Sequence, residues 1–338
     1  MNLEHTGADA KPPELEPKLQ EPADGTPAPV ATAAVPPRRI GVVGEIPFCG
    51  AEVAAAIARA GLTPRVLCPD QAAQKRLAET MPDGGYEIVE GDLGSASQVQ
   101  ITLEGTYAAA FVSPIAMSGR LYRGAEHCDD VARFVAAAEK SALRSIVYHS
   151  SVAARKLAGS LTLRDCAQAE ELIHGSRCTE FRLSTGPLFG ENDGFLSTLV
   201  PRARSASLFM GILGYGGAEF QPLYVGDFAK CVARLFADPS TNQEPLPPGV
   251  YGVTGPELTT WMELVDRALE LAQSFKFKFH APMFAAKLFA ASSGHHARLA
   301  EETELAGERF ALEKSDTARF LGTAELTTCG EIQKRMMA

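Results

Sequence analysis

Short runs of β-branched and other apolar residues alternate along most of the chain with longer stretches in which apolar residues recur every three or four positions. Short apolar runs predict β-strands, and the three-to-four spacing predicts amphipathic α-helices. Regular alternation of the two, which begins at Arg39, is the pattern of repeated βαβ units around a parallel sheet. The sequence therefore predicts an α/β fold with a doubly wound parallel sheet.

The predicted elements of the first half of the chain can be placed from this pattern. The strands are 39–43, 64–68, 86–91, 108–113, 145–150 and 179–184. The helices between them are about 49–60, 70–80, 95–104, 122–142 and 162–175. Ser95 opens the third helix and is its expected N-cap, because a serine oxygen can accept from a free N–H of the first turn.

After Gly186 the alternation gives way to a loop, GPLFGENDG, and a Gly-rich turn, GILGYGGAEF. The elements predicted here are helix 195–206, strand 221–225, helix 226–237, strand 250–255 and a helix capped at Thr259–Thr260, with 276–338 mainly helical. The expected organisation is a tail at 1–37, a nucleotide-binding core of the Rossmann type at 38–186, and a smaller α+β cap at 187–338 with strands returning to the core sheet.

The N-terminal tail is rich in proline, alanine and acid and has almost no large apolar residues, so it is expected to be disordered. It has six acidic residues and no arginine before Arg38, unlike a mitochondrial presequence. Neither a secretory signal nor a membrane-spanning run is evident, so the chain is expected to be neither exported nor membrane-spanning.

Composition excludes several function classes. The formal net charge of −9 over 338 residues argues against nucleic acid or an anionic membrane as the main partner. The seven cysteines never form a CxxC pair, so neither a disulfide framework nor a metal site is expected. The neighbouring histidines His295 and His296 are interpreted as exposed loop residues.

The stretch SFKFKFHAPMFAAKLFAA, which begins at Ser274, alternates Phe and Lys before it becomes helical in period. The favoured interpretation is a strand with one wet face followed by a core helix. Peripheral contact with a membrane surface or a partner subunit is the alternative.

The first strand runs into a turn, RIGVVGEIPFCGAE, that holds Gly44, Pro47 and Gly50 where a dinucleotide-binding loop has GxxGxxG. Pro47 has no N–H and places a ring where close approach to phosphates is needed. Glu45 adds a carboxylate near the same place. The helix start is nevertheless expected to present free N–H groups to a ligand. Phe48 completes the candidate residues of this loop.

Further candidate cofactor residues follow the next strands. Asp70, after the second strand, is positioned to bond ribose hydroxyls or simply to cap the next helix. Asp92 and Leu93 end the third strand, where adenine would lie. Ser113 ends the fourth strand, and Ser150 ends the fifth, where ribose and substrate meet. No arginine stands at 68–70, which leaves NAD and NADP both open.

Several stretches together resemble a known family. They are GVVGEIPFCGAEV, EIVEGDL, SIVYHSSVA, LRDCAQAEELI, FRLSTGPLFGEND, GAEFQPLYVGDFAKCV and VYGVTGPELTTWMELV. Their order resembles the extended and atypical short-chain dehydrogenase/reductases, NAD(P)-binding Rossmann proteins. Within them the chain is most similar to the branch that contains the nucleotide-binding accessory subunit of respiratory complex I and NmrA-like proteins.

The resemblance implies a site with its main catalytic groups replaced. Active members use a YxxxK pair on the helix after the fifth strand, and matching AEEL to the family form puts Thr162 at the tyrosine and Cys166 at the lysine. Neither replacement supplies a phenol or a cation. Ser151 or Ser150 matches the serine that polarises the carbonyl. Tyr148, inside a strand, is a poor substitute for the missing tyrosine.

Two residues near this helix have other candidate roles. His149 next to Ser150 suggests a nucleophile and base, but adjacent strand residues face opposite sides, so a satisfied structural histidine is favoured. Cys166 is interpreted as a packing cysteine rather than a reactive thiol.

The predicted function is therefore a non-catalytic NAD(P)-binding-fold protein, with weakened nucleotide binding, that serves as an accessory subunit of a larger assembly such as respiratory complex I. That resemblance implies the matrix side of the mitochondrial inner membrane, and otherwise the cytoplasm is expected; it also favours NADP(H). The alternatives are an active NAD(P)-dependent oxidoreductase or sugar-nucleotide epimerase with a non-standard site, and an NmrA-like redox sensor.

Overall fold

The computed structural model describes residues 38–113, 126–190, 196–237, 244–282, 307–322 and 325–337, together with Asp193 and Leu305. The predicted disordered tail 1–37 lies outside the described residues, as do His295 and His296. So do the first residues of the helix predicted at 122–142 and the helical stretch predicted after Pro282.

The strands of the described residues are β1 (Arg39–Gly44), β2 (Thr63–Cys68), β3 (Glu87–Glu90), β4 (Ala108–Val112), β5 (Ser145–Ser151), β6 (Thr179–Thr185), β7 (Leu188–Phe189), β8 (Phe209–Leu213), β9 (Glu219–Phe220), β10 (Leu223–Tyr224), β11 (Gly249–Val253), β12 (Thr259–Thr260) and β13 (Phe277–Ala281). The helices are α1 (Ala51–Arg59), α2 (Gln71–Thr80), α3 (Ala96–Leu103), α4 (Glu126–Lys140), α5 (Leu161–His174), α6 (Leu196–Arg204), α7 (Val225–Phe236), α8 (Trp261–Leu271), α9 (Thr317–Leu321) and α10 (Cys329–Met337).

Seven strands form one sheet in the order β11-β6-β5-β4-β1-β2-β3, and every neighbouring pair is parallel. The strand order reverses between β1 and β4, which is the switch point of a doubly wound sheet, where such folds bind ligands at the carboxyl ends of the strands. The predicted α/β Rossmann fold is confirmed.

The two faces of the sheet are buried by different helices, as the period of two along each strand requires. Val42 and Val147 pack with α1, α2 and α7, whereas Val43 and Tyr148 pack with α3, α4 and α5. Each fully buried aliphatic or aromatic side chain contributes roughly 1.5–3 kcal/mol. The sheet is therefore packed on both faces. A ligand site in such a sheet lies at the carboxyl ends of its strands.

The C-terminal part forms a third apolar cluster of its own. Its buried members include Leu199 of α6, Ile212 of β8, Leu264 of α8 and Ile332 of α10. Three two-stranded sheets, β7 with β10, β9 with β12 and β8 with β13, border this cluster. The cap is joined to the core sheet by β11, whose residues pair in register with β6.

Several predicted boundaries need correction. The strand predicted at 221–225 is reduced to Leu223–Tyr224, because Val225 already belongs to α7. The segment from 276 on is not mainly helical in its described part, since it opens with β13. A strand is confirmed for the Phe/Lys stretch, but the expectation of a single wet face is wrong, because Phe277 and Phe279 are 57% and 60% exposed and Lys278 is exposed as well. The core helix predicted after it lies outside the described residues. Ser95 holds the N-cap position without a side-chain capping bond. Thr260 caps α8 as predicted, in a capping box with Glu263.

Among the described residues, the helices are all too short or too polar to cross a bilayer.

Candidate functional site

The turn after β1 is shaped by Gly44. Its φ of +113° lies in the region that favours glycine, and a Cβ added to it would meet the carbonyl oxygen of Val112 at 2.0 Å. The glycine therefore allows β1 and β4 to stay paired up to the turn. This need for a close backbone approach exists whether or not a ligand is bound.

The carboxylate of Glu45 caps the helix that follows. Residues Ile46–Gly50 form a π-helical turn that continues into α1. The Glu45 Oε2 accepts hydrogen bonds from the N–H groups of Phe48 at 3.1 Å and Cys49 at 2.9 Å. The expectation that the helix start presents free N–H groups to a ligand is wrong for these two positions, because a side chain of the same turn already binds them.

The other residues of the loop serve its packing. The N–H of Gly50 donates to the Glu45 carbonyl at 2.8 Å, and a Cβ on Gly50 would lie 2.7 Å from Ile46 Cδ1. Phe48 is 5% exposed. A Cβ on Gly190 would meet the Phe48 ring at 3.4 Å, so this ring packs on the backbone after β7.

Asp70 follows β2 and acts as the N-cap of α2. Its Oδ1 accepts a hydrogen bond from the N–H of Ala73 at 2.8 Å. Of the two roles considered for Asp70, the capping one is the one the geometry shows. Its exposed carboxylate lies beside Pro69 at the rim of a cleft.

That cleft lies at the carboxyl ends of β1, β2 and β3 and has a volume of about 640 Å³, within the range of small-molecule sites. Its described lining is Gly44, Leu67, Pro69, Gly91, Asp92, Leu93, Gly94, Glu126, Asp130 and Arg133. Three of the candidate residues, Gly44, Asp92 and Leu93, are brought together here. The other candidates are not part of this described lining: Pro47, Phe48, Gly50, Asp70, Ser113 and Ser150.

The far wall of the cleft comes from α4. Glu126, Asp130 and Arg133 are spaced by four and three residues, which places them on one face of that helix. Sequence reasoning missed them, although this spacing within the helix predicted at 122–142 was a visible signal. It did not indicate which face would turn towards β3.

The described lining of the cleft is predominantly acidic. In it, Asp92, Glu126 and Asp130 contribute carboxylates, and Arg133 contributes a cation. The Arg133 guanidinium donates to the Leu93 carbonyl at 2.6 Å and to Asp130 at 2.5 Å. The Asp92 carboxylate accepts from the N–H of Gly94 at 2.7 Å, which fixes the turn after β3. Most of the hydrogen-bonding capacity that Arg133 directs at the cleft is therefore used within the wall of the cleft.

The serines at the carboxyl ends of β4 and β5 turn their hydroxyls towards the protein interior. Ser113 donates to the carbonyl of His149 at 2.5 Å. Ser150, which is completely buried, donates to Glu170 Oε1 at 2.7 Å. The Ser151 hydroxyl accepts from the N–H of Ala153 at 3.2 Å. Each of these hydroxyls thus bonds the backbone or a partly buried carboxylate.

Glu170, the partner of Ser150, lies on α5 and also forms an ion pair of 3.0 Å with Arg182. Burial raises the pKa of Glu170, while the bond from Ser150 and the nearby Arg182 oppose that rise. The hydrogen bond from Ser150 and the ion pair with Arg182 thus connect β5, α5 and β6 through Glu170.

Thr162 and Cys166, which the family resemblance matches to a tyrosine and a lysine, lie one turn apart near the start of α5. Ser160 caps this helix by accepting from the N–H of Leu163 at 3.2 Å. Thr162 is 4% exposed and Cys166 is 2% exposed. No ammonium or phenol stands at either position, so the pair cannot perform the family's proton transfer.

Tyr148 and His149 are buried on opposite faces of β5. The Tyr148 hydroxyl bonds His127 Nε2 at 2.7 Å within the α4 side of the core, as expected for a residue directed into the sheet packing. His149 Nε2 bonds Thr185 Oγ1 at 3.0 Å, and burial lowers the pKa of His149 to about 3. His149 is therefore neutral and does not contact Ser150 as a base.

No family model matches the chain. Solved structures do resemble it over nearly its whole length. The triphenylmethane reductase of Citrobacter sp., complexed with NADP(H), is 17% identical with a TM-score of 0.66, covering 88% of this chain and 99% of that one.

A nucleoside-diphosphate-sugar epimerase of Staphylococcus aureus is 14% identical with a TM-score of 0.66, over 89% and 100% of the two chains. The NADPH-dependent quinone oxidoreductase of Escherichia coli, complexed with NADPH, is 16% identical with a TM-score of 0.66, over 88% and 100%. The chain has the fold of the NAD(P)-binding reductases and epimerases. At these identities the likeness concerns the fold, and the chemistry must be argued from the residues of this chain.

Proposed function

We propose that the chain binds a nicotinamide adenine dinucleotide along the carboxyl edge of its sheet and does not transfer hydride through the proton relay of the reductases. The cleft beside β1, β2 and β3 lies where Rossmann folds hold the adenosine half of a dinucleotide. The absence of hydride transfer is inferred from Thr162 and Cys166. Both are buried, and they occupy the positions that the family resemblance assigns to the proton-transferring tyrosine and its lysine.

The charges of the described lining of the cleft favour NAD over NADP, contrary to the preference implied by the family resemblance. A 2′-phosphate would meet the carboxylates of Asp92, Glu126 and Asp130. The guanidinium of Arg133 is already bound to Asp130 and to the Leu93 carbonyl. An uncompensated phosphate among carboxylates is disfavoured at the short distances inside a cleft.

The bound dinucleotide would supply a hydride donor or acceptor, and the residues of this chain would do the binding. Gly44 and Leu93 offer backbone and apolar contact to the adenosine half, and Asp92 offers a carboxylate to an adenine amino group or a ribose hydroxyl. Ser113 and Ser150, at the nicotinamide end, hold the backbone of His149 and the carboxylate of Glu170 instead of a substrate carbonyl.

A bound dinucleotide without turnover fits a structural or regulatory role. The sequence resemblance supports an accessory subunit of a large assembly, such as respiratory complex I on the matrix side of the mitochondrial inner membrane. Purification of the endogenous protein under native conditions tests this part of the proposal: co-migration with a respiratory assembly supports it, and migration of the chain alone contradicts it.

Binding is tested by calorimetry with NAD and NADP on the full chain and on two variants. Leu93→Trp fills the cleft, whereas Leu157→Trp adds the same side chain at a position that is 92% exposed and outside the described lining of the cleft. Wild type and Leu157→Trp are expected to bind NAD more tightly than NADP. Leu93→Trp is expected to bind NAD at least ~10-fold more weakly, about 1.4 kcal/mol. Equal affinity of all three proteins would contradict the site.

Turnover is tested with NADH and NADPH across carbonyl compounds and sugar nucleotides. No hydride transfer is expected. Turnover with any of them would favour the alternative, an active oxidoreductase or epimerase with a non-standard site. A redox sensor like the NmrA proteins is distinguished by partner recovery that differs between oxidised and reduced cofactor.

A further inference from the structure

The turn between β1 and α1 leaves almost no backbone donors for a ligand. Pro47 has no N–H. The N–H groups of Phe48 and Cys49 donate to the Glu45 carboxylate, and the N–H of Gly50 donates to the Glu45 carbonyl. Four successive positions are thus without an available donor at the place where Rossmann folds bind a diphosphate.

Glu45 is held firmly in this arrangement. Its own N–H donates to the Val112 carbonyl at 2.8 Å, which fixes its backbone to the end of β4. The residue is 7% exposed. Its carboxylate therefore takes the role that a phosphate has in dinucleotide-binding loops, as an anion at the positive end of a helix.

The local charge also disfavours a second anion. Glu52, on the first turn of α1, adds a carboxylate that is paired with Arg76 at 3.3 Å. Burial is the main cause that raises the pKa of the Cys49 thiol, and the carboxylates of Glu45 and Glu52 raise it further, because both add negative potential at this turn. A diphosphate would enter this potential, and adenosine alone would not be affected by it.

The cleft for the adenosine half begins beside this turn. Gly44 belongs to its lining and is followed directly by Glu45. A ligand in the cleft that continues past Gly44 towards the nicotinamide end must pass the turn that begins with Glu45. The cleft and the occupied donors are separate observations about adjacent parts of one site.

We propose that Glu45 is a tethered anion that competes with the diphosphate of a dinucleotide, and that it sets the selectivity of this cleft among adenine-containing ligands. This inference rests on the proposed binding of a dinucleotide. Adenosine, which carries no phosphate, binds without opposition, whereas NAD binds only when the carboxylate leaves the N–H groups of Phe48 and Cys49.

The test compares NAD and adenosine on four proteins by calorimetry. Glu45→Ala frees the two N–H groups, and Glu45→Gln keeps a capping oxygen but removes the charge. Glu263→Ala is the matched control, since Glu263 is a glutamate whose carboxylate caps α8, away from the cleft lining. Thermal unfolding of each variant establishes that it is folded.

The expected result is that NAD binds at least ~10-fold more tightly to Glu45→Ala than to wild type, with Glu45→Gln between them. Adenosine affinity is expected to change less than ~2-fold in all variants, and Glu263→Ala is expected to match wild type for both ligands. If Glu45→Ala does not fold, a gain of NAD affinity in Glu45→Gln alone supports the proposal, and no gain overturns it.

The two proposals fail in different ways. Equal NAD affinity of wild type and both Glu45 variants overturns the competition and leaves the dinucleotide site standing. NAD binding by the Glu45 variants but not by wild type supports the competition and overturns dinucleotide binding as the native function. Failure of every protein to bind NAD overturns both, and an equal rise for adenosine and NAD overturns the competition.

Discussion

The hydroxyl of Ser150 donates a hydrogen bond of 2.7 Å to the carboxylate of Glu170. This bond turns away from the cleft a serine that the family resemblance placed at the substrate carbonyl, and it makes the residue part of the packing between β5 and α5. The presence of a serine at position 150 is thus explained by its contribution to the stability of the fold.

Substitution of Ser150 by alanine is expected to lower stability. The change removes the donor to a partly buried carboxylate, at a cost of about 1–2 kcal/mol, and further raises the pKa of Glu170, which the bond from Ser150 now lowers. Urea unfolding measures the first effect. Ser97→Ala, at an exposed position, is the control and should change stability by less than ~0.5 kcal/mol. A Ser150→Ala variant as stable as wild type would show that the bond contributes nothing.

Substitution of Gly44 by alanine is expected to destabilise the fold severely. The added methyl would lie 2.0 Å from the Val112 carbonyl oxygen, and φ is +113°. A loss of at least ~3 kcal/mol is expected. Gly61→Ala isolates the backbone effect, because Gly61 also has a positive φ, of +77°, but no atom within 4 Å of the added Cβ. Its expected cost is about 1–2 kcal/mol. Similar losses at both positions would contradict the close approach at Gly44.

Acid is expected to destabilise the protein through His127. Burial lowers the pKa of His127 to about 4, below the value of 6.5 that an exposed histidine has. The unfolded chain therefore binds a proton at this residue as pH falls below 6.5, while the folded chain does not until about pH 4. Stability contributed by the neutral histidine is complete above pH 6.5 and is lost between 6.5 and 4.

The full loss is on the order of 3 kcal/mol, from about 1.4 kcal/mol per pH unit. Equilibrium unfolding at a series of pH values measures it in wild type and in His127→Asn, which does not titrate. The difference between the two proteins should vary across this window and be flat above it. A difference that is independent of pH would mean that His127 has the same pKa in the folded and the unfolded chain, which would contradict the lowering by burial.

Thiol labelling tests whether the site around Cys166 is closed. Cys128 and Cys178 are partly exposed, whereas Cys166 is buried. Burial raises the pKa of Cys128 to about 11, so even the accessible thiols should react slowly near neutral pH. Mass spectrometry after native alkylation should find Cys128 and Cys178 modified first, and Cys166 only after unfolding. Labelling of Cys166 as fast as Cys128 would indicate an open route to the relay position.

Much of the fold could be predicted because its signals are local. The strands of the core sheet follow from apolar runs of the right length, and the cap at Thr260 follows from its spacing to Glu263. The replacement of the family's tyrosine and lysine by Thr162 and Cys166 is implied by the sequence resemblance and stays a prediction.

The features that the sequence did not predict depend on the direction of a side chain or on the pairing of distant strands. No local sequence pattern determines either of these. A glutamate after a glycine turn can point into solvent or fold back on its own helix, and only the geometry of the turn at Ile46–Gly50 selects the second for Glu45. The pairing of β8 with β13 joins residues more than sixty positions apart. The cleft wall from α4 was missed for the same reason, because the face of a helix that meets a distant strand is a tertiary property.

The pairing of β11 with β6 has a practical consequence for anyone who wishes to work with a smaller piece of this protein. Residues 38–186 look like a self-contained nucleotide-binding unit, yet the seventh strand of their sheet comes from Gly249–Val253. A fragment that ends at residue 186 would expose the unpaired backbone of β6. Exposed edge strands of this kind promote edge-to-edge aggregation. The shortest useful expression fragment must therefore run past Val253.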